Sequence, residues 1–154
     1  MRRISESSRY GFICVQFSNK IEMPDIENRD DIEQLLRRFY SVAMEDELIG
    51  HHFVGLDLES HVPVFTDFWD KVLFGNRVYF GNPLAVHLKL TGKNPITLEH
   101  FQRWVELFGD AVDGLFEGET ATNAKLRAKM IAHSLNTRIA EGDSGFVNIA
   151  EHVP

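Results

Sequence analysis

Cysteine is almost missing from this chain. Cys14 is the only one in 154 residues, which excludes an intramolecular disulfide framework and a cysteine-rich zinc site. A single free thiol suits a reducing compartment. Basic residues are also short: 16 Lys and Arg stand against 23 Asp and Glu, a formal net charge of −7. They are scattered rather than gathered into the basic stripe of a nucleic-acid binder, so no nucleic-acid partner is expected. No apolar run reaches the ~18–20 residues that cross a bilayer. Arg2 and Arg3 ahead of residues 11–17 imitate a leader only loosely, because Gln16 interrupts the apolar part and no small-residue cleavage site follows. The chain therefore reads as cytoplasmic, without a membrane partner.

Phenylalanine, by contrast, is plentiful: 12 Phe stand beside 3 Tyr and 2 Trp, a load that suits packing against something large and apolar. The chain is the length of one domain. Residues 1–29 lack helical periodicity, are rich in serine and other polar residues, and are read as a loosely packed or poorly ordered extension. Residues 30–141 carry regular helical signals, and 142–154 form a tail.

Within 30–141 the apolar spacing predicts five helices and no strand. Asp30 and Glu33 suggest a capping box ahead of a face of Ile32, Leu35, Leu36, Phe39, Tyr40 and Ala43. Ser60 is the expected cap of a second helix, with Pro63 in its first turn. That helix should bury His61, Phe65, Phe68, Trp69, Val72 and Leu73 and stop at Gly75. Asn82-Pro83 opens a short helix bearing Leu84, His87 and Leu88. Thr97 caps the next, with Leu98, Phe101, Trp104, Val105, Phe108 and Val112 inward and a break at Gly114 and Gly118. The last is expected to start near Thr122, with Ala124, Ala128, Ile131, Leu135 and Ile139 on one face.

Two of the seven histidines, His61 and His87, are placed by helical phasing on apolar faces. Taken singly, each is either a buried neutral imidazole bonded to a carbonyl or an axial ligand for a metal. A zinc or di-iron site needs three or four converging ligands, and no paired Glu-x-x-His motifs supply them. Haem needs one protein ligand and a large apolar slot. Tyr40 and Trp104 combine apolar bulk with a hydrogen-bond donor, and each is equally at home in a plain helical core.

The string Tyr79-Phe80-Gly81-Asn82-Pro83-Leu84-Ala85-Val86-His87 fits a Tyr-x-Gly-x-Pro-x-x-x-His pattern. With Phe39-Tyr40, Phe53, His61, Phe68-Trp69 and Trp104 it resembles the group III truncated haemoglobins over about residues 30–141. That resemblance implies an all-α, two-over-two helical sandwich around haem b. It implies His87 as the proximal iron ligand, Tyr40 and Trp104 as distal donors, and His61 at the distal histidine position. Phe53, Phe65, Tyr79, Leu84, Leu88 and Phe101 complete the implied haem contacts. Arg77 and Lys89 are candidates for the propionates on sequence proximity alone. The implied function is binding and transport of O2, and binding of other diatomic gases such as NO or CO. The alternatives are nitric oxide dioxygenase or peroxidase-like chemistry with an external electron donor, and a non-haem helical module that binds a partner.

Overall fold

The computed structural model describes residues 21–141. The expectations for most of the N-terminal extension, for Cys14 and for the tail 142–154 lie outside the described residues. Five α-helices follow in order: α1 Arg29–Ala43, α2 Leu58–Phe74, α3 Pro83–Thr91, α4 Leu98–Leu115 and α5 Glu119–Glu141. A single 3-10 turn, Gly50–Phe53, sits between α1 and α2. No strand occurs among the described residues. Helix α1 packs on α2 and α4 on α5, and the pairs are joined by α1–α4 and α2–α5 contacts, with α3 lying against α5. This is a two-over-two all-α arrangement.

Helix α1 forms as its periodicity demands. Ile32, Leu35, Leu36, Phe39, Tyr40 and Ala43 are all buried, and full burial of each large apolar side chain contributes about 1.5–3 kcal/mol. Its cap is not the Asp30/Glu33 pair. The Asn28 side chain accepts from the N–H groups of Asp30 and Asp31 at 2.9 and 3.1 Å, and the Asp31 carboxylate accepts in turn from the Asn28 N–H at 3.2 Å. A capping box works from a residue whose own backbone is still extended, and Asn28 meets that condition at φ −151°.

Helix α2 starts two residues before the expected Ser60 cap. Asp57 is its N-cap residue, and the Ser60 hydroxyl instead donates to the Asp57 carbonyl at 3.0 Å. Pro63 therefore lies beyond the first turn, exposed, where the helix forgoes the bond a backbone N–H would make to the Glu59 carbonyl. The inward stripe is rotated by about one residue: Val62, Thr66, Trp69 and Asp70 are buried, whereas Phe65, Phe68, Val72 and Leu73 are half-buried. Gly75 ends the helix at φ 72°, a left-handed cap that a side chain would strain. Buried Asp70 accepts from Arg29 at 3.4 Å and from Asn76 at 2.7 Å, tying α1 to the end of α2.

The last helix also starts early, at Glu119, and its cap comes from far away in the chain. The Asp25 carboxylate accepts from the N–H groups of Thr120 and Ala121 at 2.9 and 2.8 Å. Ile26 beside it is fully buried, so the packed chain reaches back past the boundary expected at residue 30. Gly118 lets the carboxylate approach, because a Cβ there would overlap the Asp25 side chain. Gly114 does not break α4, which continues to Leu115. No helix among the described residues is long and apolar enough to cross a membrane.

Candidate haem site

Helix α3 presents His87. Pro83 opens it, and the Asn82 side chain accepts from the Ala85 N–H at 3.1 Å, so the short helix has a fixed start. One turn later, His87 Nδ1 donates to the Pro83 carbonyl at 2.7 Å. That bond uses the Nδ1 proton and leaves Nε2 as the ring's lone-pair nitrogen. Burial pushes the His87 pKa below the ordinary histidine value, and the bond to Pro83 opposes it only in part. The imidazole is therefore neutral, which is the ligating form. Its ring lies 6.4 Å from that of Phe101, and Leu84 on the same helix is fully buried.

Across the bundle, three of the expected distal residues meet directly. Tyr40 stacks on Phe65 with centroids 4.8 Å apart and meets the edge of Phe53 at 5.7 Å. Trp104 joins through Phe39, which contacts Tyr40 at 4.8 Å and Trp104 at 5.6 Å. Burial holds the Tyr40 hydroxyl far above the usual tyrosine pKa, and no hydrogen bond contributes to the shift. The group therefore keeps its proton and stays free to donate. Trp69 is core: it is buried and stacked on Phe108 at 4.6 Å. Tyr79 is half-buried and packs its ring against Phe68 at 5.2 Å, and burial raises its pKa.

His61 is not inward. The buried position of that turn of α2 is Val62, and His61 is exposed. Its Nδ1 lies 2.8 Å from the Asp57 carbonyl and its ring 5.9 Å from that of Phe65, at the rim of the aromatic group. Leu98, expected inward on α4, is exposed as well. Arg77 and Lys89 are exposed. The expectation for the Leu88 side chain lies outside the described residues.

The residues present fit a haem. One neutral imidazole, held by a backbone carbonyl, has its second nitrogen available. Half-buried Phe53, Phe65, Phe68 and Trp104 edge the core. The sequence reading missed Asp25 and Asp46, which shape the scaffold around these residues. Asp46 accepts from the N–H groups of Leu48 and Ile49 at 3.0 and 3.1 Å and pairs with Arg103 on α4 at 2.9 Å, holding the segment that leads to Phe53. Such links join residues far apart in sequence and have no local pattern to betray them.

Comparison with known proteins agrees with the geometry. The family model for bacterial-like globins matches residues 25–139. The chain is 31% identical over 111 residues to the group 3 truncated hemoglobin ctb of Campylobacter jejuni, covering 68% of this chain and 85% of that protein. The crystal structure of the group III truncated hemoglobin from Campylobacter jejuni matches with a TM-score of 0.68 and 26% identity, over 78% of this chain and 97% of that one. With its all-helical fold and an imidazole fixed by the carbonyl of its own short helix, the chain belongs to the bacterial-like globins, as a truncated haemoglobin of group III and hence a gas-binding haem protein.

Proposed function

We propose that this chain holds haem b through His87 Nε2 and binds O2, or another diatomic gas such as NO or CO, on the side walled by Tyr40, Phe53, Phe65 and Trp104. The observation that carries the reading is the 2.7 Å bond from His87 Nδ1 to the Pro83 carbonyl. A ring so held has one tautomer and one orientation, and a hydrogen bond on the far nitrogen raises ligand basicity. Haem, when bound, supplies the ferrous centre at which diatomic gases bind.

The remaining work falls to the chain. Tyr40 supplies a buried donor that cannot ionise near neutral pH, and Trp104 supplies an indole N–H as a second. A hydrogen bond from such a donor to an acceptor bearing negative charge is worth about 1.5–3 kcal/mol. Phe53 and Phe65 keep water from the bound gas, and Leu84 and Phe101 give His87 an apolar surround on its own side. Tyr79 covers the edge of the slot. His61, at the rim, controls access rather than ligating. Reduction comes from an external electron donor, since no flavin or nicotinamide motif is present in the sequence, and the compartment is the cytoplasm.

Absorption spectra of the purified protein, oxidised, reduced and reduced with CO, test this. A Soret band that shifts with CO is expected. A folded chain that stays colourless after haem supplementation would overturn the reading.

The buried hydroxyl of Tyr40 favours one second reading, in which slow O2 release leaves time for reaction with NO; peroxidase-like turnover would instead have peroxide take the place of O2 beside the same donor. Rapid mixing of the O2-loaded protein with NO separates the two. Nitrate formed faster than with an ordinary oxygen-binding globin supports turnover, and an unexceptional rate leaves binding as the function.

A further inference from the structure

Outside the aromatic pocket, the fold brings His100 up to the adjacent pair His51 and His52, 48 residues away in sequence from His52. His51 and His52 lie on the 3-10 turn, and His100 lies at the third position of α4, where it completes the Thr97 capping box. One ring nitrogen from each comes within 4.8 Å of the others. The ring centroids are 4.0 Å apart for His51 and His52, 4.7 Å for His52 and His100, and 5.4 Å for His51 and His100.

We infer that His51, His52 and His100 form a binding site for a divalent transition-metal ion, of which Zn2+ is the natural probe. The separation of His52 Nε2 and His100 Nδ1 is 3.2 Å. Two nitrogens so spaced, each about 2.0–2.1 Å from one ion, subtend roughly 100° there, close to the tetrahedral value. A third imidazole is the chemistry that turns such a pair into a site, and His51 is exposed and turns on its own side-chain torsions to close it. Imidazole ligands suit zinc, copper and nickel rather than magnesium or calcium. The fourth position faces solvent and takes water.

The two supporting elements are already held in register. Arg103, one turn beyond His100, pairs with Asp46, whose carboxylate also caps the segment just ahead of the 3-10 turn. Ligation therefore needs side-chain adjustment and no rearrangement of backbone. It costs two local bonds, the one His100 Nδ1 now accepts from the Thr97 N–H at 3.1 Å and the one it shares with His52 Nε2. The ion would staple the 3-10 turn to α4 immediately beside Phe53, whose ring meets Tyr40.

Calorimetric titration of the full-length protein with zinc chloride tests the site, with thermal unfolding as the second readout. One zinc per chain and a rise in Tm are expected. H51Q, H52Q and H100Q should each weaken binding by at least the roughly tenfold typical of losing an outer-shell partner. Glutamine at the third position of α4 is itself a capping-box residue, so H100Q keeps the helix start intact. His133, exposed on α5, is the control, and H133Q should bind zinc like the parent. Absence of zinc binding by the folded parent, or equal affinity in the parent and the three variants, overturns the assignment. The outcome is independent of whether His87 ligates haem, since the affected variants leave that residue in place.

Discussion

His87 and Pro83 are joined by a 2.7 Å bond from the imidazole Nδ1 to the backbone carbonyl one turn earlier. The proline opens the helix and also supplies the acceptor that orients the histidine. His87→Ala is expected to weaken haem retention by at least about tenfold, the lower end of what loss of an outer-shell partner costs. The check is haem transfer to an excess of an acceptor globin, followed by absorbance. Retention equal to the parent would mean that another residue ligates the iron.

Tyr40→Phe removes one oxygen and keeps the ring that stacks on Phe65. Loss of a hydrogen bond worth about 1.5–3 kcal/mol speeds O2 dissociation by roughly one to two powers of ten. Stopped-flow displacement of O2 by CO measures this rate. Fold stability should change little, and an unaltered rate would remove Tyr40 from the gas-binding role.

His61 occupies the rim with its Nδ1 beside the Asp57 carbonyl. His61→Ala should raise the gas association rate and leave the ferrous deoxy spectrum as it was. A low-spin ferrous spectrum in the parent that disappears in this variant would instead identify His61 as a direct iron ligand.

Asp25 caps α5 through the N–H groups of Thr120 and Ala121. Partial burial raises its pKa, but the backbone bonds from Thr120, Ala121 and Ile26 together outweigh burial and hold it below the ordinary aspartate value. A carboxylate depressed in the folded state adds stability above its unfolded pKa and loses it as pH falls through the folded value. Asp25→Ala should cost about 0.5–2 kcal/mol at neutral pH, as for other helix caps. The difference from the parent should vanish in acid, below the folded pKa. Urea unfolding at several pH values checks both, and a pH-independent difference would assign the loss to packing.

Much of the fold was legible because its cause is local. The six residues expected to line α1 are the six buried there. Thr97 caps α4 and Pro83 opens α3 as their spacing predicts. Helix α2 shows where that reasoning slips. Ser60 looks like a cap, but the cap residue is Asp57, three positions earlier, and the packing of α2 buries Val62 and leaves His61 exposed.

The sequence by itself determined an all-helical chain with a proline-initiated helix bearing His87, an aromatic-rich interior, and a pattern resembling the group III truncated haemoglobins. Each follows from spacing within a few residues, where backbone periodicity and capping chemistry act. Tertiary structure alone decided which histidines share a neighbourhood, what caps α5, and where His61 points. Those depend on how separate helices lie against one another, and contacts across 48 residues, as between His52 and His100, or 95, as between Asp25 and Thr120, leave no trace in local periodicity.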